Sequence, residues 1–322
     1  MLLDQEHSSR KLIAEREAKV RNAGERLAEH LGSQVTPTLF LDMDGVVFCA
    51  DGLRYPRITD YGVLSALISL ESLGVQIGPA TGRGLHVVQT LRDYGLQIQG
   101  PGIFEEGQMY VTNGEIHQFG HPNHPAFMNT LREAMTKHPD FVPTWDHVRP
   151  DTNAISPGNP QWQGRNRFSY WFSYDDNQER DSVIVSSIRP FVEASADQHG
   201  LHPDNDIALT VYRMKPHKLN GNVAIVGIKG RHNGRDIDKG TAAHMITTPR
   251  SWSFVADGFG DTPLANVTHS RGGVVIGIEG NLDMTNDASI FLARAHARLR
   301  DPREFAGALR HTASVLRGKR MR

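Results

Sequence analysis

The sequence predicts a doubly wound parallel α/β fold interrupted by an inserted α+β segment, and three observations carry that prediction. Apolar runs of strand length alternate with helical patterns at both ends of the chain. The early runs stop at polar tips, Asp42-Met43-Asp44-Gly45 and Thr81-Gly82-Arg83-Gly84. After about residue 118 the alternation lapses, and residues 121 to 167 carry many Pro, His, Asn and Trp instead.

Residues 1 to about 34 read as helix, with Leu12, Ile13, Val20, Leu27 and Leu31 as a broken apolar stripe among charges. Such a stripe suits a surface helix packed on the main domain. A dimer contact is the alternative, so the oligomeric state stays open. Pro37 to Asp44 is a buried strand that ends in two acids. Residues 46 to 58 are irregular, with Asp51-Gly52 and Pro56 as turn signals. Thr59 is placed to cap a helix whose inner face is Val63, Leu64, Leu67, Ile68 and Leu70, and Gly74 closes it. Val75 to Ala80 is a second strand, followed by a helix with Val87, Val88 and Leu91 inward. Ile103 to Val111 reads as one strand, with Asn113-Gly114 as a hairpin signal.

Within the insert, Phe168 to Tyr174, Ile207 to Met214 and Asn222 to Ile228 read as strands, and Asp181 to His199 as a helix. Lys239 then opens a short helix, Ser253 to Ala256 and Val274 to Ile278 are strands, and the tail from about Ala288 is helical.

Composition narrows the function. The 322 residues suffice for one large or two medium domains, and 39% hydrophobic content marks a globular chain. With 35 basic and 36 acidic residues, no global positive field exists to hold a phosphate backbone, so nucleic acid is an unfavoured partner. A small anion needs only a local positive site. One cysteine, Cys49, rules out an intrachain disulfide and points to a reducing compartment. No apolar run approaches the roughly 20 residues of a membrane span. A soluble cytoplasmic protein is expected.

Four signals fall in order at strand ends or helix starts: Asp42/Asp44, Thr81, Lys239 and Asp257/Asp261. In an open parallel sheet, ligands bind beyond the carboxyl ends of the strands, so distant residues can meet at one rim. Carboxylate and carbonyl oxygens suit Mg²⁺. A carboxylate is also a nucleophile able to form an aspartyl-phosphate, and a second acid can protonate a leaving oxygen and then activate water. A hydroxyl, a lysine and backbone N–H groups can hold the remaining oxygens. Phosphate-monoester hydrolysis requires accelerations of up to about 10²¹, so charge neutralisation is a physical requirement.

On these residues the chain resembles the haloacid dehalogenase (HAD) superfamily of phosphohydrolases. The resemblance covers roughly residues 36 to 118 and 230 to 290. Asp42-Met43-Asp44-Gly45 matches the first motif, Ala80-Thr81-Gly82-Arg83 the second, Asp238-Lys239-Gly240 the third, and Asp257-Gly258-Phe259-Gly260-Asp261 the fourth. An insert between the second and third motifs is similar to the type IIB cap of the Cof-like and sugar-phosphatase branch.

The resemblance implies a Rossmann-like core from residues 35–118 and 230–322, a cap from 119–229 and an N-terminal helical extension, 1–34. It implies that Asp42 is nucleophile and Mg²⁺ ligand, and that Asp44 is general acid/base with its carbonyl on the metal. Thr81, Gly82, Arg83 and Lys239 would bind the substrate phosphate, with a surface ion pair as the equal alternative for Arg83. Asp257 would complete the metal site, with Asp261 in its outer shell, fixing Lys239 or a metal water. Gly260 departs from the branch, which often has Asn there. The implied activity is a Mg²⁺-dependent phosphomonoesterase on a small phosphorylated metabolite, a sugar or cyclitol phosphate. A phosphomutase or phosphotransferase, or a non-catalytic binding protein, are the alternatives.

Other features read more plainly. No His/Cys quartet has structural-zinc spacing. Lys229-Gly230-Arg231-His232 reads as a solvated basic run. Trp145, Trp162, Tyr170, Trp171 and Tyr174 read as the insert's own core or as sugar-stacking faces, and Arg165 or Arg167 as a second anion contact.

Overall fold

A computed structural model describes residues 2–48, 58–137, 167–174, 181–214, 222–279 and 287–320. Helix α1 (Leu2–Gly32) leads into β1 (Thr38–Leu41), α2 (Tyr61–Ser72), β2 (Gln76–Pro79) and α3 (His86–Asp93). A short antiparallel meander follows, β3 (Gly102–Phe104), β4 (Met109–Thr112) and β5 (Glu115–Gln118). Next come α4 (His124–Lys137), β6 (Arg167–Tyr174), α5 (Asp181–Gln198), β7 (Ile207–Met214), β8 (Asn222–His232) and β9 (Arg235–Asp236). The chain closes with α6 (Lys239–Met245), β10 (Ser253–Ala256), α7 (Thr262–Ser270), β11 (Val274–Ile278), α8 (Asp287–Ala293), β12 (Ala297–Leu299) and α9 (Pro302–Arg320).

The central sheet is five-stranded and wholly parallel, in the order β12-β11-β10-β1-β2. All four residues of β1 and of β10 are buried, as a strand covered on both faces requires. The chain leaves β1 for β2 on one side and returns much later to β10 on the other. The tip of β1 therefore lies at the topological switch point, where open α/β sheets bind ligands.

Helix α1 packs through Ala23, Leu27, Ala28 and Leu31 against α9, whose Phe305, Ala308, Leu309 and Ala313 are also buried. The two backbones come close at Gly24, where a Cβ would lie 2.7 Å from the Ala308 carbonyl oxygen. Thr312 Oγ1 donates to the Gly24 carbonyl across that contact at 3.0 Å. Leu12 and Ile13 on the same helix are exposed.

A second α/β unit has its own apolar cluster. Strands β6, β8 and β7 form an antiparallel sheet, with β8 in the middle. Phe127, Met128 and Leu131 of α4 meet Ile188, Val192 and Ala196 of α5 and Ile207 and Ile228 of the sheet.

Several local expectations are corrected. The cap of α2 is Asp60, whose side chain accepts from Gly62 N at 2.5 Å. Thr59 instead donates to the carbonyls of Val46 and Val47. Ile103 to Val111 is two strands, because Glu105, Glu106 and Gly107 turn the chain at φ values of 54°, 56° and 93°. Helix α4 lies in the stretch of Pro, His, Asn and Trp where the alternation lapses and no helix is expected. The tail is not wholly helical, since β12 adds a fifth strand to the sheet edge. Lys229 is buried and donates to the Ile237 carbonyl at 2.6 Å rather than being solvated. Tyr170, Trp171, Tyr174 and Arg167 fall on β6. Trp145, Trp162, Arg165, Cys49 and the turn signals at Asp51-Gly52 and Pro56 lie outside the described residues.

Candidate active site

Asp42 follows β1 and continues its ladder, donating its backbone N–H to the Val255 carbonyl of β10 at 2.8 Å. The chain then turns sharply. Phe48 N donates to Met43 O at 2.7 Å and Gly45 N to Phe48 O at 2.8 Å, with Gly45 at φ 79°. That left-handed conformation is where glycine costs least. The turn buries Asp42 but leaves the Asp44 carboxylate facing outward, with 36% of its side chain exposed.

Thr81 follows β2 and Ala80, fully buried, and donates its N–H to the Ile103 carbonyl at 2.9 Å. Its hydroxyl accepts from the Arg83 N–H at 3.0 Å. Arg83 is itself buried, and its guanidinium meets the Asp44 carboxylate at 2.5 to 3.2 Å. Gly82, between them, is half-buried.

Lys239 is the first residue of α6. Asp238 caps that helix, accepting from Thr241 N at 2.7 Å, while Thr241 Oγ1 accepts from Asp238 N at 3.4 Å. This reciprocal box fixes where the lysine side chain starts. Its ammonium lies 2.6 Å from Asp261 Oδ1 and 3.2 Å from Asp42 Oδ1. Met43 N donates to the same Asp42 oxygen at 2.8 Å. Asp261 is buried and Asp257, just beyond β10, is half-buried. Carboxylate oxygens of Asp42, Asp257 and Asp261 lie within 4.8 Å of one another. Residues far apart in sequence thus gather at one rim.

One acid escaped the sequence reading. Glu106 N donates to the Thr81 carbonyl at 3.2 Å, and its carboxylate bears electrostatically on Asp42, Lys239 and Asp261. The signal was present: Glu105-Glu106-Gly107, two acids and a glycine at the end of a strand, repeats the logic of Asp42 to Gly45. Gly107 is obligatory, because a Cβ there would sit 2.0 Å from the Asp238 carbonyl oxygen. The turn is thereby locked to the cap of the helix that carries Lys239.

The electrostatics show a shortage of positive charge. Burial raises Asp42 well above the usual carboxylate range and the Asp261 charge adds to this, against the opposing pull of Lys239. Burial likewise pushes Asp261 up to about 6 despite the adjacent ammonium. Burial disfavours the charged lysine, yet Asp261 and Asp42 outweigh it and hold Lys239 well above its ordinary value. A cationic lysine among too many carboxylates is the arrangement. A hard divalent cation suits this donor set, since oxygen ligands converge and their charge is under-compensated.

No protein-family model matches the chain, and no curated protein matches it. Solved structures do. A trehalose-6-phosphate phosphatase related protein is similar over 88% of this chain and 100% of its own, at 16% identity and a TM-score of 0.54. A phosphatase of the HAD superfamily from Bacteroides thetaiotaomicron is similar over 88% of this chain and 96% of its own, at 14% identity and a TM-score of 0.48. The Aspergillus fumigatus trehalose-6-phosphate phosphatase aligns over 90% and 97%, at 11% identity and a TM-score of 0.47. At such identities the likeness speaks to the fold. This chain shares the fold of the trehalose-6-phosphate phosphatase related protein, and in it a parallel five-stranded sheet carries the acids at its strand tips.

Proposed function

We propose that the protein is a Mg²⁺-dependent phosphatase of a small phosphorylated metabolite, a sugar or cyclitol phosphate. The observation that carries this is the Asp42–Lys239–Asp261 cluster, with Asp257 beside it, at the switch point of the sheet. A buried lysine shared by two buried carboxylates has no use in apolar packing and suits phosphoryl transfer.

Asp42, Asp257 and the main chain at Asp44 would hold the cation, with Asp261 beside them. When bound, it supplies charge neutralisation for the phosphoryl oxygens. Lys239 and Met43 N engage Asp42 Oδ1, which orients the carboxylate and leaves Oδ2 to attack phosphorus. The bond from phosphorus to the leaving oxygen breaks as Asp44 delivers a proton to that oxygen. Water then attacks the aspartyl-phosphate and gives its proton to Asp44. Phosphate leaves and Asp42 is regenerated. Thr81, the N–H of Gly82 and Lys239 hold the non-bridging oxygens throughout.

Residues 35–118 and 230–322 act as the core and 119–229 as a cap over the site. Support comes from the separate apolar cluster and antiparallel sheet of the latter. Among the described residues no helix is long and apolar enough to cross a membrane. The lone cysteine favours a reducing, cytoplasmic setting.

The test is phosphate release from a panel of sugar and cyclitol phosphates with Mg²⁺, comparing wild type with Asp42→Asn. Trehalose 6-phosphate belongs in the panel because a protein of this fold bears its name. Turnover by wild type and its loss in the variant are expected. Equal activity of the two removes Asp42 as nucleophile. Conversion to an isomeric sugar phosphate without free phosphate marks a mutase instead.

A further inference from the structure

Arg83 follows the Thr-Gly pair, and the sequence leaves it at the substrate phosphate or in an ion pair. Its guanidinium is turned onto Asp44. Nε lies 3.0 Å from Oδ2 and 3.2 Å from Oδ1, and Nη2 lies 2.5 Å from Oδ1. Only 2% of the arginine side chain is exposed, against 36% for the aspartate. The cation is walled in, while its partner is partly exposed.

The arginine is also anchored from several sides. Its N–H donates to Thr81 Oγ1 at 3.0 Å and its carbonyl accepts from Glu105 N at 3.0 Å. The guanidinium carbon stands 5.5 Å from the centroid of the Phe48 ring. Phe48 is buried and forms a backbone bridge with Asp44. Arg83 therefore braces the Asp42–Phe48 turn and the carboxylate it presents with one side chain. An arginine fork fixes the plane of a carboxylate, which a lysine's point charge does not.

We propose that Arg83 is the positioning residue of Asp44. It aims the acid/base at the leaving oxygen and is not itself a ligand of the substrate phosphate. This rests on the phosphatase reading of the site. It carries a signature that a phosphate ligand or a purely structural arginine would lack. A misaimed Asp44 matters only where the leaving oxygen needs a proton. A sugar alkoxide needs one, while p-nitrophenolate leaves without it. The ratio kcat/KM covers the steps up to departure of the leaving group, so it isolates this effect from the later hydrolysis.

The experiment measures kcat/KM for p-nitrophenyl phosphate and for the panel's best sugar phosphate, in wild type, Arg83→Met, Arg83→Lys, Asp44→Asn and the Asp44→Asn/Arg83→Met double variant. In Arg83→Met the sugar-to-aryl ratio is expected to fall about 10²-fold, at the lower end of what general acid catalysis contributes. Arg83→Lys is expected to fall less. In the Asp44→Asn background the Arg83 change should leave the ratio where it was, since coupled residues are not additive. The inhibition constant of inorganic phosphate should stay within about threefold of wild type.

Equal losses on both substrates, or a phosphate inhibition constant that rises in step with the loss, overturn the proposal. If Arg83→Met loses aryl turnover through misfolding, Arg83→Lys decides by the same ratio. Aryl turnover that survives Asp42→Asn removes Asp42 as nucleophile and overturns the reading of the site on which the proposal rests, and the proposal with it. Aryl turnover lost in Asp42→Asn, with no selective effect at Arg83, overturns the proposal alone.

Discussion

Gln108 and Gly230 are joined twice. The glutamine amide donates to the Gly230 carbonyl at 3.2 Å, and the Gly230 N–H donates to the glutamine oxygen at 2.9 Å. The glutamine is fully buried, and a Cβ on the glycine would stand 2.9 Å from its oxygen. The meander next to the central sheet is thereby fastened to the end of β8, nine positions before Lys239 by sequence number.

Gln108→Ala would strand a buried N–H and a buried carbonyl at once. A loss of about 2–4 kcal/mol is expected, at about 1–3 kcal/mol for each unsatisfied buried group with partial relief by water. Gln108→Glu should be no better, because a carboxylate cannot donate to the Gly230 carbonyl. Urea unfolding of the two variants checks this. Midpoints equal to wild type would mean the double bond contributes nothing.

Mg²⁺ should stabilise the folded protein, and more so at neutral pH than in acid. Burial raises Asp42, and Asp261 lies at about 6, so at lower pH protons occupy the carboxylates that a cation would use. Binding of the metal releases those protons and strengthens as pH rises through about 6. At a hundred times its dissociation constant a ligand adds about 2.7 kcal/mol. The rise in Tm with Mg²⁺ is expected to be larger at pH 7.5 than at pH 5.5 and to disappear in Asp257→Asn. A Tm indifferent to Mg²⁺ at both pH values would argue against a cation there.

Stability should also fall in mild acid through His30. Its Nδ1 and Nε2 lie 2.9 Å from the hydroxyls of Ser253 and Ser251, fastening α1 to the central sheet. Burial, and then His296 nearby, hold its pKa below the ordinary value of about 6.5. The unfolded chain therefore takes up the proton first. The stabilisation is complete above about 6.5 and is lost as pH falls through the lower, folded value. His86, His124 and His296 are lowered as well, chiefly by burial. His30→Gln should make the pH dependence shallower between about pH 7 and 5 without flattening it. An unaltered slope in chemical denaturation would remove His30 from the account.

Legibility in the sequence followed physical range. Asp42, Thr81, Lys239 and Asp257 could be picked out because each interrupts an apolar run or opens a helical pattern, a local event. Asp261 is expected to fix Lys239 or a metal water, and its carboxylate is the nearer of the two partners of that lysine. Which carboxylate a lysine prefers depends on side-chain placement across the sheet, and no spacing rule carries it. Arg83 shows the same limit, since the sequence leaves it between the substrate phosphate and an ion pair, and only the fold names Asp44 as the partner. Strand β12 was lost because only three residues, Ala297–Leu299, form it, and its pairing with β11 is what makes it a strand. Helix α4 hid behind His124 and Pro125 at its start. In α6 the start at Lys239 was legible, but the box between Asp238 and Thr241 that caps it was not.

The position of β1 also dictates when this protein can begin to work. Its neighbour β2 emerges soon after it, but its other neighbour, β10, starts at Ser253. During synthesis β1 waits with one side unpaired while the whole inserted unit is made, a gap that slows folding and exposes a bare edge. Lys239, Asp257 and Asp261 arrive together at the end of that wait. The nascent chain therefore carries Asp42 for most of its translation as an inert side chain, and the assembled acid cluster appears late and all at once.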